Sequence, residues 1–368
     1  MALESALNCN TITNFTSNSS SCAQPIPPPQ GPMVNPYLEF DKFVFGSAIY
    51  IIIISFTTLV ANGLLLVVFF FDPLKIFRNT TTYFLVGLAF VDILTAAIQE
   101  PMFATCFLMM YLGHPDTGAI CSPLFEVGQY ISLFAMNASF LIVLAFTVTQ
   151  YIVVMSPLRY ALSVTKTRVV ICVLSIYLYA ICFSLLSVMG VPTDIHQKCD
   201  IILHSIVMVY LTILFYILLY KAFKKKMAAS ENLREDNNIQ NGGKDNRQTA
   251  VQRKFIIINF LLIAILFVSS QPSTILWFIH LYSNDDPNSP KVQIRFLMAE
   301  NVLYLKFLLD PFVYAWRIPK YRQAPKIVLR CGREEPEAKS TFSDRVMARM
   351  SASRDTVITL NFKNITPD

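Results

Sequence analysis

The chain predicts an all-α membrane protein: a seven-transmembrane helical bundle with a short amphipathic helix after the seventh span. Three observations lead there. Of 368 residues, 54% are hydrophobic and only 15% charged, a balance foreign to soluble domains. The apolar residues gather into seven runs, each long enough to cross about 30 Å of hydrocarbon, which takes roughly 20 helical residues. The last run ends in Asp310-Pro311-Phe312-Val313-Tyr314, where a helix-breaking proline beside a carboxylate in hydrocarbon needs a functional reason.

Residues 1–42 are rich in Ser, Thr, Asn and Pro and lack a basic start followed by an apolar core. They read as a disordered extracellular segment with no visible cleavable signal peptide. Asn14-Phe15-Thr16 and Asn18-Ser19-Ser20 are N-glycosylation acceptors there, whereas the same pattern at Asn79, Asn137 and Asn364 falls in cytoplasm or membrane and reads as chance. The apolar runs occupy 43–71, 82–112, 124–155, 168–191, 201–223, 254–282 and 296–316 within a bundle domain over 43–317. Helices are the economical way to bury their backbone in lipid. A basic, moderately amphipathic surface helix over 318–331 follows, with Cys331 placed for palmitoylation, and then a disordered cytoplasmic tail over 332–368. Phosphorylation of tail residues such as Ser340, Thr341 and Ser343 would give an arrestin-like partner charge to grip.

Lys75 and Arg78, then Arg159, Lys166 and Arg168, then Lys221 and Lys224 to Lys226 share one side with the tail. That side is the cytoplasm, and the N-terminus is outside. Asp116, Asp194, Asp200, Asp285 and Asp286 fall in the opposite connections. The net charge of +6 therefore reports topology and membrane-lipid contact, with no nucleic-acid binding read into it. Of eight cysteines, Cys172, Cys182 and Cys106 read as apolar fillers inside spans. Cys121 and Cys199 could staple an external loop to a helix end, and Cys9 and Cys22 could pair with each other; connectivity stays open.

Asn62, Leu88-Ala89-Phe90-Val91-Asp92, the run from Tyr151 through Pro157 to Tyr160, Pro272 and Asp310-Pro311 stand in an order and spacing that resembles the rhodopsin-like family of G protein-coupled receptors over 43–331. The resemblance implies a plasma-membrane receptor that passes binding of an extracellular ligand to heterotrimeric G proteins and arrestin-like proteins. It also implies a disulfide of Cys121 with Cys199, although Cys121 lies about four residues, one helical turn, early. Departures carry information too. Thr149-Gln150-Tyr151 stands where the family has Asp-Arg-Tyr, so Gln150 offers hydrogen bonds and no charge at the transducer-coupling position. Ser269-Ser270-Gln271-Pro272 replaces the aromatic toggle and Tyr177 a common tryptophan. The absence of a fifth-span proline, the short connection before that span and Asp310 ahead of Pro311 resemble the melanocortin, adenosine and lipid-receptor branch.

Asp92, Lys306 and Asp310 are ionisable groups in the bundle's middle, costly unless paired. Lys306 and Asp310, four apart, share a helix face. In the family, Asp92 and Ser139 match sodium ligands and Lys306 sits at another, so the expectation is an intramembrane polar switch of Asn62, Asp92, Ser139, Lys306, Asp310 and Tyr314, with the Lys306 ammonium replacing sodium. The competing reading has Lys306 only neutralising Asp310. A retinal photopigment is the sharper alternative; Lys306 lies five residues before Pro311 where opsins place their lysine seven before, and Tyr304 holds that place.

By family register the ligand pocket includes Gln129, Ser132 and Met136 of the third span, Ser273 and Trp277 of the sixth, and Glu300 and Tyr304 of the seventh. Glu126 and Glu100 lie nearer the rim. Three carboxylates around an apolar cleft suit a cation: an amine, a basic peptide side chain or calcium. Ser132 stands where amine receptors place their aspartate, which argues against an ordinary monoamine. No catalytic constellation, metal-ligand cluster or phosphate loop is legible and only four histidines are scattered along the chain, so no enzyme, cofactor or metal is expected. Two further functions compete with a coupled receptor. Gln150 suggests a non-coupling decoy, and Lys306 with Asp310 suggests a proton-coupled transporter, although no inverted repeat is legible.

Overall fold

The computed structural model describes residues 36–71, 80–156, 160, 164–237, 242–282, 286 and 289–317. Asn14, Asn18, Cys9, Cys22, Cys331, the surface helix over 318–331, the tail and the side chain of Tyr314 lie outside the described residues. The chain divides into Met1–Ala324 and Pro325–Asp368, and the second unit is likewise not described.

Among the described residues every regular element is a helix. The first span is Pro36–Phe71; the second runs through Thr80–Leu94, a π-helical segment Thr95–Gln99 and Glu100–Tyr111; the third is Thr117–Met155 and the fourth Lys166–Ser184. The fifth comprises Thr193–Asp200, a π-helical segment Ile201–Met208 and Val209–Asn237; the sixth is Gly242–Tyr282 and the seventh Pro290–Arg317. Six of these helices are long and apolar enough to cross a membrane by length and composition. The seventh falls short because Lys291, Arg295, Glu300, Lys306 and Asp310 load it with charge.

Two boundaries differ from expectation. The fourth span stops at Ser184 and the fifth begins at Thr193, about two turns before its apolar run. The chain reverses between them in a tight connection where Gly190, at φ +98°, adopts the left-handed conformation that glycine tolerates best. Asp200 is consequently inside the fifth helix, a correction to its expected place in an external connection. Thr165 caps the fourth helix by accepting the Arg168 N–H at 3.3 Å.

The third span is the axis of the bundle. It packs on the second, fourth, fifth and sixth, while the seventh lies against the first and the sixth. Its middle is buried almost all round, from Phe134 through Phe140 and on to Phe146, as a helix ringed by neighbours requires. Close approach is built in. The Tyr177 hydroxyl donates to the Gly87 carbonyl at 2.6 Å, tying the fourth span to the second, and a Cβ on Gly128 would come within 2.2 Å of the Phe103 ring.

Backbone irregularity falls beside polar residues. Pro101 has no N–H to give the carbonyl of Ala97, and the second span widens just before it into the π-helical turn. The carbonyl of Ala96 is taken at 2.7 Å by the Ser55 hydroxyl of the first span. The second π-helical segment opens directly after Asp200.

Candidate ligand cavity and intramembrane charge network

The deepest charge is also the best enclosed. Lys306 is 1% exposed, and its Nζ donates to Ser139 Oγ at 2.8 Å and to Asp92 Oδ1 at 3.1 Å, with Asp310 Oδ2 at 3.1 Å as an ion pair. One ammonium thus joins the second, third and seventh spans. The Phe307 ring lies 4.6 Å from the same Nζ. Asn62 extends the network to the first span, its Nδ2 donating to the Phe307 carbonyl at 3.1 Å. The ammonium stands at this convergence of oxygens, and a second cation placed there would meet its repulsion at short range.

Outward of the network lie two adjoining cavity lobes, about 190 Å³ and 120 Å³. Glu126, Gln129, Ser132, Ser273, Trp277, Glu300 and Tyr304 border the outer lobe; Met136 borders only the inner one, where Ser132, Ser273 and Trp277 recur. Glu126 Oε1 accepts from the Tyr130 hydroxyl at 2.9 Å. Glu100 departs from its expected rim position. It is fully buried directly after the π-helical turn, with both carboxylate oxygens unpartnered among the described residues.

Sequence reasoning missed two fifth-span residues on the same wall, His196 and Asp200. His196 Nδ1 faces Ser187 Oγ at 2.6 Å, and its ring sits 5.0 Å from Phe183. Asp200 Oδ1 accepts from Asn137 Nδ2 at 2.9 Å and lies 3.0 Å from His204 Nδ1. The octet Thr193–Asp200 is mostly polar and reads as loop; only its packing shows it to be helix. No lysine or arginine of the described residues borders either lobe.

The disulfide also requires correction. Cys106 pairs with Cys121, Cα atoms 5.5 Å apart, while Cys199 is a free, exposed thiol. The tight connection between the fourth and fifth spans puts Cys199 within a helix rather than on a loop reaching over the bundle. Cys106, expected as an apolar filler, instead meets Cys121 across the second and third spans.

The family model of the 7 transmembrane receptor (rhodopsin family) matches residues 61–314, more than half of the chain. The chain belongs to the rhodopsin family. A similar relative is Melanopsin-B of Xenopus laevis, 24% identical over 349 residues covering 85% of this receptor and 61% of that protein. G-protein coupled receptor 52 of Mus musculus is 29% identical over 142 residues, 38% of this receptor and 37% of that protein. The receptor thus spans less than two thirds of the length of either. The crystal structure of squid rhodopsin superposes with a TM-score of 0.68 at 14% identity, covering 83% of this receptor and 91% of that chain, which shows the shared fold. Family membership makes this a multi-pass membrane protein with the seven-helix receptor fold.

At the C-terminal end of the third span, Thr149 donates to the Ala145 carbonyl at 2.8 Å and Gln150 is buried. Tyr151 packs against Phe215 and onto the cluster of Val154, Leu219 and Ile256. The Thr147 hydroxyl donates at 3.0 Å to Asn259 Oδ1, a neutral link between the third and sixth spans.

Proposed function

We propose that the receptor lies in the plasma membrane with its N-terminus outside, binds an extracellular cationic ligand in the two-lobed cavity and drives nucleotide exchange on an intracellular G protein. The observation that carries this reading is the cavity wall, where Glu126, Asp200 and Glu300 stand with no lysine or arginine of the described residues beside them. Carboxylates in a low-dielectric cleft concentrate cations. The cavity also abuts the network: Met136 on its wall precedes Ser139 by one turn, and Leu303 precedes Lys306 by one turn. Ligand that shifts the third span against the seventh therefore strains the Lys306 contacts, and helix rearrangement follows.

Coupling without the family's arginine is the uncommon element. Gln150, buried next to the Tyr151 that packs onto the Val154, Leu219 and Ile256 cluster, would engage the transducer by hydrogen bonds without a charge of its own. The test is basal and ligand-panel nucleotide exchange on several G proteins, wild type against Gln150→Arg at matched surface expression. Exchange by wild type supports a working receptor; exchange by the variant alone would replace this reading with a non-coupling decoy.

A further inference from the structure

We propose that Asp200 grips the charged end of the ligand, and that the ligand is a compact aromatic amine carrying a primary ammonium group. The inference rests on the cavity being the ligand site proposed above. Ser132 leaves its own place on the third span without a carboxylate, but Asp200 of the fifth supplies one beside it: both residues border both lobes. An amine therefore needs no carboxylate at the Ser132 position.

Asp200 is prepared for the task. A carboxylate only accepts, so the His204 nitrogen facing it must carry the hydrogen: Nδ1–H donates to Asp200 Oδ1 at 3.0 Å. In a neutral ring Nε2 is then an acceptor, and the Tyr179 hydroxyl of the fourth span stands 3.0 Å away to donate. Asn137 of the third span donates to the same Oδ1 at 2.9 Å. Three spans thus fix the carboxylate through one oxygen, leaving Oδ2 without a partner among the described residues.

The rest of the wall selects the cation. Ser273 Oγ is buried and unpartnered among the described residues and borders both lobes, as does Ser132. Asp200 Oδ2 and two serine hydroxyls match the three N–H donors of a primary ammonium, whereas a quaternary ammonium offers none. Phe103, Phe125, Trp277 and Phe296 line the outer lobe and suit an aromatic body.

The experiment measures binding of 2-phenylethylammonium and its N,N,N-trimethyl analogue to the full-length receptor in nanodiscs, by isotherm and by melting temperature. The primary amine should bind wild type at least 10-fold more tightly than the trimethyl salt. Asp200→Asn should lose at least 10-fold for the primary amine while its ligand-free melting temperature stays near wild type. Asp194→Asn, which breaks an exposed pair with Lys198 at 2.7 Å, should lose nothing. Equal binding of the two salts, binding of neither, or unchanged affinity in Asp200→Asn would overturn the proposal and leave Asp200 as a helix-pairing residue. Should Asp200→Asn fail to fold, the two salts on wild type and on Ser273→Ala still decide. Binding is read without a G protein, so the two readings fail separately. Amine binding without exchange keeps the anchor and removes the signalling; exchange driven by another ligand with no amine binding does the reverse.

Discussion

Lys306 is a buried cation on which three spans converge. Its one ammonium faces two carboxylates, so both acids depend on the same cation. Removing one partner of a buried ion pair costs about 3–5 kcal/mol, because the other is left uncompensated. Lys306→Met should therefore lower the melting temperature sharply, while Asp92→Asn, Lys306→Met and Asp310→Asn combined should recover most of the loss. Wild-type melting should be indifferent to replacing choline with sodium at constant ionic strength, and Lys306→Asn, which opens room among the same oxygens, should gain sodium dependence. A wild-type dependence as steep as the variant's would sink the view that the ammonium takes the ion's place. The Lys306–Asp310 contact was legible from a four-residue spacing on one helix, whereas the Lys306 contacts with Asp92 and Ser139 entered only through the family resemblance. Asp200 was not legible, since its position turns on where the fifth helix begins. The polar octet ahead of it gives no apolar periodicity from which to read that start.

At the scale of elements, the second and third spans are held together where they leave the membrane, and the Cys106–Cys121 bond closes a loop of sequence separation 15. A loop of that length constrains the unfolded chain by about 3 kcal/mol in the chain-entropy account. Cys106→Ser and Cys121→Ser should each destabilise the receptor by that order and to a similar degree, whereas Cys199→Ser should be silent. Peptide mapping under non-reducing conditions checks the connectivity directly, and a Cys121–Cys199 peptide would contradict it. The sequence marked Cys121 as external but offered no way to single out Cys106, whose neighbours Phe103 and Phe107 are apolar and make a thiol look like filler. Disulfide partners are a tertiary fact. The close contact of the same two spans bears on the ligand cavity as well. Gly128→Ala would push a methyl into the Phe103 ring, which lines the outer lobe, so the variant should change ligand affinity more than expression, as saturation binding on intact cells would show.

For the molecule as a whole, the retinal-photopigment alternative turns on whether the Lys306 amine reaches the cavity. The cavity and the Lys306 amine lie at separate places on the seventh span. The cavity is bounded on the seventh span by Glu300, Leu303 and Tyr304, while the Lys306 amine is turned into the core and bonded to Asp92 and Ser139. Two residues turn a helix by about 200°, so an amine at Lys306 and a side chain at Tyr304 face different neighbours. A Schiff base requires an uncharged amine nucleophile, and the ammonium here would have to surrender a proton and three partners to enter the cavity. Purified wild-type receptor mixed with 11-cis-retinal or all-trans-retinal should accordingly show only the absorption of free retinal. A red-shifted band that disappears in Lys306→Met would mean that the lysine leaves its network and reaches the ligand. The charge network would then be the resting store of a chromophore attachment site, and the amine selectivity proposed for Asp200 would have to share the cavity with a polyene.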